Sequence, residues 1–263
     1  MNYDSYERIR VERAGRILTL SLNRPDHLNA IDDRMHEELA RVFHDVQIDD
    51  EADVIVLTGV GRAFSAGGDM AWLRELSTGG TLPSSVVGTK RMIFSLLDLE
   101  KPIIARIWGP CIGLGASLAL LCDIVYAGES ARIGDPHVKV GLVAGDGGVV
   151  AWPHLVGHAR AKEYLMTGEL LTATEAERIG LINHVVPDDE LDARVQAMAE
   201  RLANGATRAI RWTKTSINIG LKRYAHSVMD TCLGYEMLTF ASNDHREAVD
   251  AFVNKRRPEF KGD

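Results

Sequence analysis

The chain has 263 residues, of which 46% are hydrophobic and 25% charged, the make-up of a globular domain large enough to hold together without a disulfide or metal staple. Thirty basic residues against thirty-seven acidic ones leave a net charge of −7, which argues against nucleic acid as a partner. Three cysteines (Cys111, Cys122, Cys232) form neither a CxxC nor an even framework, so a reducing, cytoplasmic setting is expected.

The first ten residues lack an apolar leader core, so no secretory signal is expected. Residues 16–22, RILTLSL, alternate like a strand. After the loop NRPDHLNAI, Met35, Leu39, Val42, Phe43 and Val46 fall at helical spacing behind a capping Asp32 or Asp33. VIVLT at 54–58 reads as a strand buried on both faces, and the glycine-rich loop GVGRAFSAGGDM follows it. A helical pattern covers about 86–99, and IIARI at 103–107 resumes a strand after Pro102. The turn GPCIGLGAS leads into a helix SLALLC, then strands DIVYA and ARIG. The uncharged stretch 107–122 is shorter than a membrane span of about 20 residues and is broken by glycine and proline, so it reads as core and no membrane association is expected. Beyond Gly147 the pattern is helical apart from HVV at 184–186. Alternating strands and helices predict an α/β body. The expected division is a core over residues 1–200 and a helical oligomerisation segment over 201–263.

Two glycine-rich turns, each between a buried strand and a helix, stand out: Phe64–Asp69 and Ile112–Ser117. Backbone N–H groups at such turns are free to hold an oxyanion or phosphate; the alternative use is close packing of helix on strand. The second turn fails as a dinucleotide motif because Leu118 occupies the third small position. It also fails as a nucleophile elbow, because Ser117 lies ten residues past the strand.

The segments NRPDHLNAID, AFSAGGDM, KPIIARIWGPCIGLGASLALLCDIVYAGESARIGDP, GLVAGDGGVVAWPHLVG and GLINHVVPDDEL resemble the crotonase superfamily, the enoyl-CoA hydratases and isomerases, over essentially the whole chain. The resemblance implies an α/β spiral of ββα units with a helical C-terminal trimerisation region, assembling as a homotrimer or a dimer of trimers. It implies an acyl-CoA thioester as substrate, with coenzyme A arriving as part of that substrate and no further cofactor or metal. The two oxyanion donors of the family fall on the backbone N–H groups of Gly68 and Leu114. The family often has glycine at Leu114, so leucine brings a side chain to the acyl pocket. Contacts to adenine and pantetheine fall on Arg24, His27, Leu28, Ala30, Ala66, Gly68, Asp69 and Met70. Phe240 and Lys255 add contacts from the C-terminal helices, often those of the next subunit. Lysine is frequent in the family where this chain has His27. The cluster Lys255-Arg256-Arg257 offers charge for CoA phosphates or, alternatively, is a solvated helix end.

The hydratases of this family use two glutamates, whose positions here hold Ser117 and His137. Histidine is a competent acid or base near neutrality, and a serine hydroxyl can hold a water or a substrate oxygen. Asp146 lies one residue past the loop position, here Gly145, where isomerases carry a carboxylate. It is expected on the pocket wall, either orienting the Nδ1–H of His137 or capping the helix after Gly147. Asp135 reads as a turn residue before Pro136. His154 and His158, with Gly157 between them and no glutamate partner, do not read as a metal site. Trp108 and Trp152 read as core or pocket lining. The expected activity is that of an enoyl-CoA hydratase/isomerase-like enzyme, a lyase or isomerase, that stabilises a thioester enolate with His137, Asp146 and Ser117 in place of the glutamate pair. A β-dicarbonyl carbon–carbon hydrolase and a non-catalytic CoA-ester binder are the alternatives.

Overall fold

A computed structural model describes residues 1–77 and 82–263, and of residues 82–84 the backbone. Strands β1 (Ile9–Ala14) and β2 (Ile17–Leu22) form a hairpin, and helix α1 (Asp33–Gln47) follows. Next come β3 (Val54–Gly59), α2 (Met70–Ser77) and α3 (Leu82–Asp98). Two strand pairs then each lead into a helix. β4 (Ile103–Ile107) and β5 (Pro110–Ile112) precede α4 (Leu114–Leu120). β6 (Ile124–Gly128) and β7 (Arg132–Gly134) precede α5 (Gly148–Thr167), with a short 3₁₀ turn at His137–Val140 in between. β8 (Leu171–Thr172), α6 (Ala173–Arg178), β9 (His184–Val186), α7 (Leu191–Ala203), α8 (Thr207–Phe240) and α9 (Asn243–Val253) complete the chain.

Six strands form one sheet in the order β1-β2-β3-β4-β6-β9, parallel except at the first hairpin. A second sheet has the order β5-β7-β8. The first strand of each pair therefore lies in the large sheet and the second in the small one. That alternation before each helix is the ββα spiral expected from the sequence.

Strand β2 is buried along nearly its whole length rather than on alternate residues. The reason is that the large sheet is covered on both faces. Leu18, Leu20, Ile55 and Leu57 join α1 and α3 in the main core. Ile17, Val54, Val56 and Ile104 pack instead against Leu191, Val195 and Ala199 of α7. Helix α1 begins as expected, with the Asp32 carboxylate accepting from the Met35 N–H at 2.8 Å.

No apolar pattern announces β1, whose residues are mostly polar and exposed. It is anchored by Glu38, a fully buried carboxylate on α1. That side chain accepts from the N–H groups of Glu7 (2.8 Å), Arg8 (2.9 Å) and Ile9 (3.0 Å) and pairs with Arg34 at 3.1 Å. Removing it strands three N–H donors in the interior. Glu38→Ala is expected to lower the unfolding free energy by about 3 kcal/mol or more, read as a lower urea midpoint at unchanged slope.

Candidate active site

The two glycine turns meet because the chain stitches them together. Ser65 and Cys111 form an isolated parallel bridge, with the Ser65 N–H donating to Pro110 O and the Ile112 N–H to Ser65 O, both at 3.0 Å. Gly113 takes φ +55°, where a side chain would be strained. Helix α4 can approach the first turn because residue 115 is glycine: a Cβ there would lie 2.6 Å from the Ser65 Cβ.

This stitching leaves two N–H groups free. Gly68 bridges Ile31, but the bonds run from the Ile31 N–H to Gly67 O and from the Asp69 N–H to Ile31 O. In a parallel bridge of that kind the N–H of the central residue points to the other side. Leu114 opens α4, so its N–H has no acceptor within the helix. Neither group donates to an acceptor among the described residues. Both residues line one cavity.

His137 and Asp146 line the same cavity, and Ser117 is buried behind Asp146. The His137 Nε2 lies 3.2 Å from Asp146 Oδ2, and the Ser117 hydroxyl donates to Asp146 Oδ1 at 3.1 Å. Asp146 does not cap α5: Gly147 is the N-cap and receives no side-chain bond. Nor does Asp146 orient Nδ1. That nitrogen bonds Asp135, so Asp135 is no mere turn residue. Asp135 is buried, and its Oδ2 has no partner among the described residues. The signal was present in the sequence, an aspartate two residues before the histidine across a proline.

Burial works against charge on His137, but Asp135 and Asp146 outweigh it and raise the imidazole well above its ordinary range. The two aspartates therefore favour the protonated ring. Asp135, His137 and Asp146 each offer a ligating atom within 4.8 Å of the others. The carboxylates, however, address opposite ring nitrogens. That arrangement suits a hydrogen-bonded chain better than convergence on one ion.

Much of the rest of the cavity is apolar, lined by Trp72, Leu76, Val86, Leu142, Leu233 and Phe240 among others. It contains one histidine that the sequence reading passed over, on the apolar face of α1. His36 sits at the wall with its Nε2 2.9 Å from the Thr89 hydroxyl. Burial lowers its pKa to about 4, so it is neutral at physiological pH.

The residues expected to contact coenzyme A are spread out. Ala66, Gly68, Met70 and Phe240 line the cavity, Phe240 that of its own chain. Leu28 accepts from the Ala66 N–H at 2.9 Å. Arg24 reaches Ala30 O (2.6 Å) and pairs with Asp69 (3.1 Å) and Asp32 (3.2 Å), so its charge is already engaged. Asp69 also accepts from the Ala71 and Trp72 N–H groups at the start of α2. His27 is exposed in a 3₁₀ turn, and Lys255 is exposed just beyond α9. Its neighbour Arg256 is taken up by Glu247 and Asp250.

Comparison with known proteins follows this geometry. The sequence profile described as enoyl-CoA hydratase/isomerase matches residues 12–263. The chain belongs to the enoyl-CoA hydratase/isomerase family. It is 34% identical to a short-chain-enoyl-CoA hydratase of Clostridium acetobutylicum, covering 95% of each chain. It is 36% identical to a 1,2-epoxyphenylacetyl-CoA isomerase of Escherichia coli, covering 94% of this chain and 95% of that one. The crystal structure of an enoyl-CoA hydratase/isomerase from Mycobacterium paratuberculosis superposes with a TM-score of 0.91 at 39% identity, over 94% of this chain and 99% of that one. The fold is thus the crotonase fold. No helix among the described residues is long and apolar enough to cross a membrane.

The charge state of His137 has a measurable sign. A histidine whose folded pKa exceeds the unfolded value of about 6.5 adds stability below that pH and loses it as pH rises through the folded value. NMR titration of the ring should give a folded pKa above the unfolded one. Asp135→Asn should lower it by about one pH unit or more.

Proposed function

We propose that this family member moves a proton next to the thioester carbonyl of an acyl-CoA, through an enolate held by the N–H groups of Gly68 and Leu114. The observation that carries the reading is one cavity lined by two unpaired backbone donors and by the paired side chains of Asp146 and His137. Charge that develops on the thioester oxygen is stabilised by donors fixed before the reaction begins. Asp146 accepts the α-proton. His137 and Ser117 fix the carboxylate's two oxygens, and the imidazolium offsets its charge. Asp135 holds the ring from behind and fixes its orientation, as in other carboxylate–histidine pairs. Proton transfer of this kind needs no cofactor beyond the CoA that the substrate carries.

Isomerisation of an enoyl-CoA fits these groups better than ordinary hydration. Hydration in this family is expected to use two glutamates around one water, and Ser117 and His137 occupy those places. Cleavage of a β-dicarbonyl by water would call on His137 as a base at rest, whereas its two aspartates favour the protonated ring. Assembly as a homotrimer or a dimer of trimers is part of the proposal. The apolar residues left exposed along α8, Trp212, Ile217 and Leu238, support it.

Deuterium uptake at the α-carbon of an acyl-CoA in D₂O, followed by mass spectrometry, tests the reading. Wild type should exchange; Asp146→Asn and His137→Ala should lose roughly 10²–10⁴ in rate while remaining folded. Crotonyl-CoA should keep its conjugated absorbance. Hydration at a full hydratase rate, unaffected by His137→Ala, would contradict the assignment. The backbone donor can be tested separately, because proline is tolerated at the first position of a helix. Leu114→Pro removes that N–H together with the side chain, so Leu114→Ala is the control, and proline should cost about 10²–10³ in turnover relative to alanine.

A further inference from the structure

Besides His36, the cavity wall carries a second titratable side chain that this proton transfer does not use. Glu236, on α8, is 8% exposed and lines the same cavity as Gly68, Leu114 and Asp146. Its Oε2 lies beside Gly145, in the loop that carries Asp146. Burial, and then the charge of Asp146, push Glu236 well above the ordinary carboxylate range, with His137 pulling the other way. Burial and the neighbouring Asp146 therefore favour the protonated form of this carboxyl, the form that can give up a proton.

The backbone makes room for this group. A Cβ added at Gly145 would lie 2.7 Å from Glu236 Oε2 and 2.6 Å from the Cys232 carbonyl oxygen. A side chain at position 145 and the Glu236 carboxyl therefore exclude each other. Because Glu236 comes from α8 and Asp146 from the loop before α5, the two groups approach the cavity from different elements.

We propose that Glu236 is a second acid–base residue of the pocket, delivering its proton to the far end of the dienolate that Asp146 generates. The inference rests on the α-proton reading above and supplies the step that it leaves open. For a 3-enoyl-CoA, the α C–H bond breaks and its proton goes to Asp146. The electron pair passes into the dienolate. A new C–H bond forms at the γ-carbon with the proton of the Glu236 carboxyl, whose O–H bond breaks and leaves a carboxylate. The double bond now lies between the α- and β-carbons. Asp146 then returns its proton to Glu236, directly or through water, and the enzyme is restored.

The experiment uses the full chain and 3-hexenoyl-CoA in D₂O, with α-exchange read by mass spectrometry and conjugation by absorbance. Glu236→Gln, close in size and unable to give up a proton, is expected to lose conjugation by at least 100-fold and α-exchange by less than tenfold. Gly145→Ala should produce the same split by displacing the carboxyl, and Glu236→Asp should restore part of the conjugation rate. Asp146→Asn should lose both. Conjugation at the wild-type rate in Glu236→Gln, or an equal fall in both readouts, would overturn the assignment and leave the α-proton reading standing. Absence of α-exchange in the wild type would end that reading and the role of Glu236 with it.

Discussion

The site depends on one short piece of backbone pairing, the bridge between Ser65 and Cys111. It locks two glycine turns, far apart in sequence, side by side at the ends of their strands. Backbone N–H groups cost no side-chain entropy to position and cannot rotate away. Once the turns are fixed, the Gly68 and Leu114 donors are fixed as well. The large sheet supplies the rigidity, covered on one face by α1 and α3 and on the other by α7.

Charge is arranged around this frame in a definite order. Asp135 lies behind His137 and Asp146 in front of it, one on each ring nitrogen. The imidazolium would be costly to bury alone, and the paired carboxylates offset that cost. Much of the remaining wall is apolar, which strengthens every electrostatic interaction inside. In such surroundings an uncharged carboxylic acid at Glu236 and a neutral imidazole at His36 are the states that burial favours.

Much of this was legible in the sequence, for physical reasons. The buried strands announce themselves by continuous apolar runs, and α1 by its period and its Asp32 cap. The two glycine turns were visible because only glycine fits their geometry. His137, Asp146 and Ser117 came from resemblance, and the structure brings them into contact. Three features were not readable. β1 has only Ile9 and Val11 packed in the core, and a distant buried glutamate helps to hold it. Asp135 looked like a turn residue because its role depends on a ring that folds back onto it. Glu236 lies ninety residues from Asp146 on a long helix of mixed character, and no local pattern marks a helical glutamate that points inward.

The central claim is that the free N–H groups of Gly68 and Leu114 share one oxygen of the substrate. Its most direct test is a crystal structure of the enzyme with a non-reactive acyl-CoA bound. The expected result is the thioester oxygen about 2.7–3.1 Å from both backbone nitrogens, with the α-carbon facing Asp146. A thioester oxygen bonded to neither nitrogen, in a complex with ordered ligand, would contradict the claim.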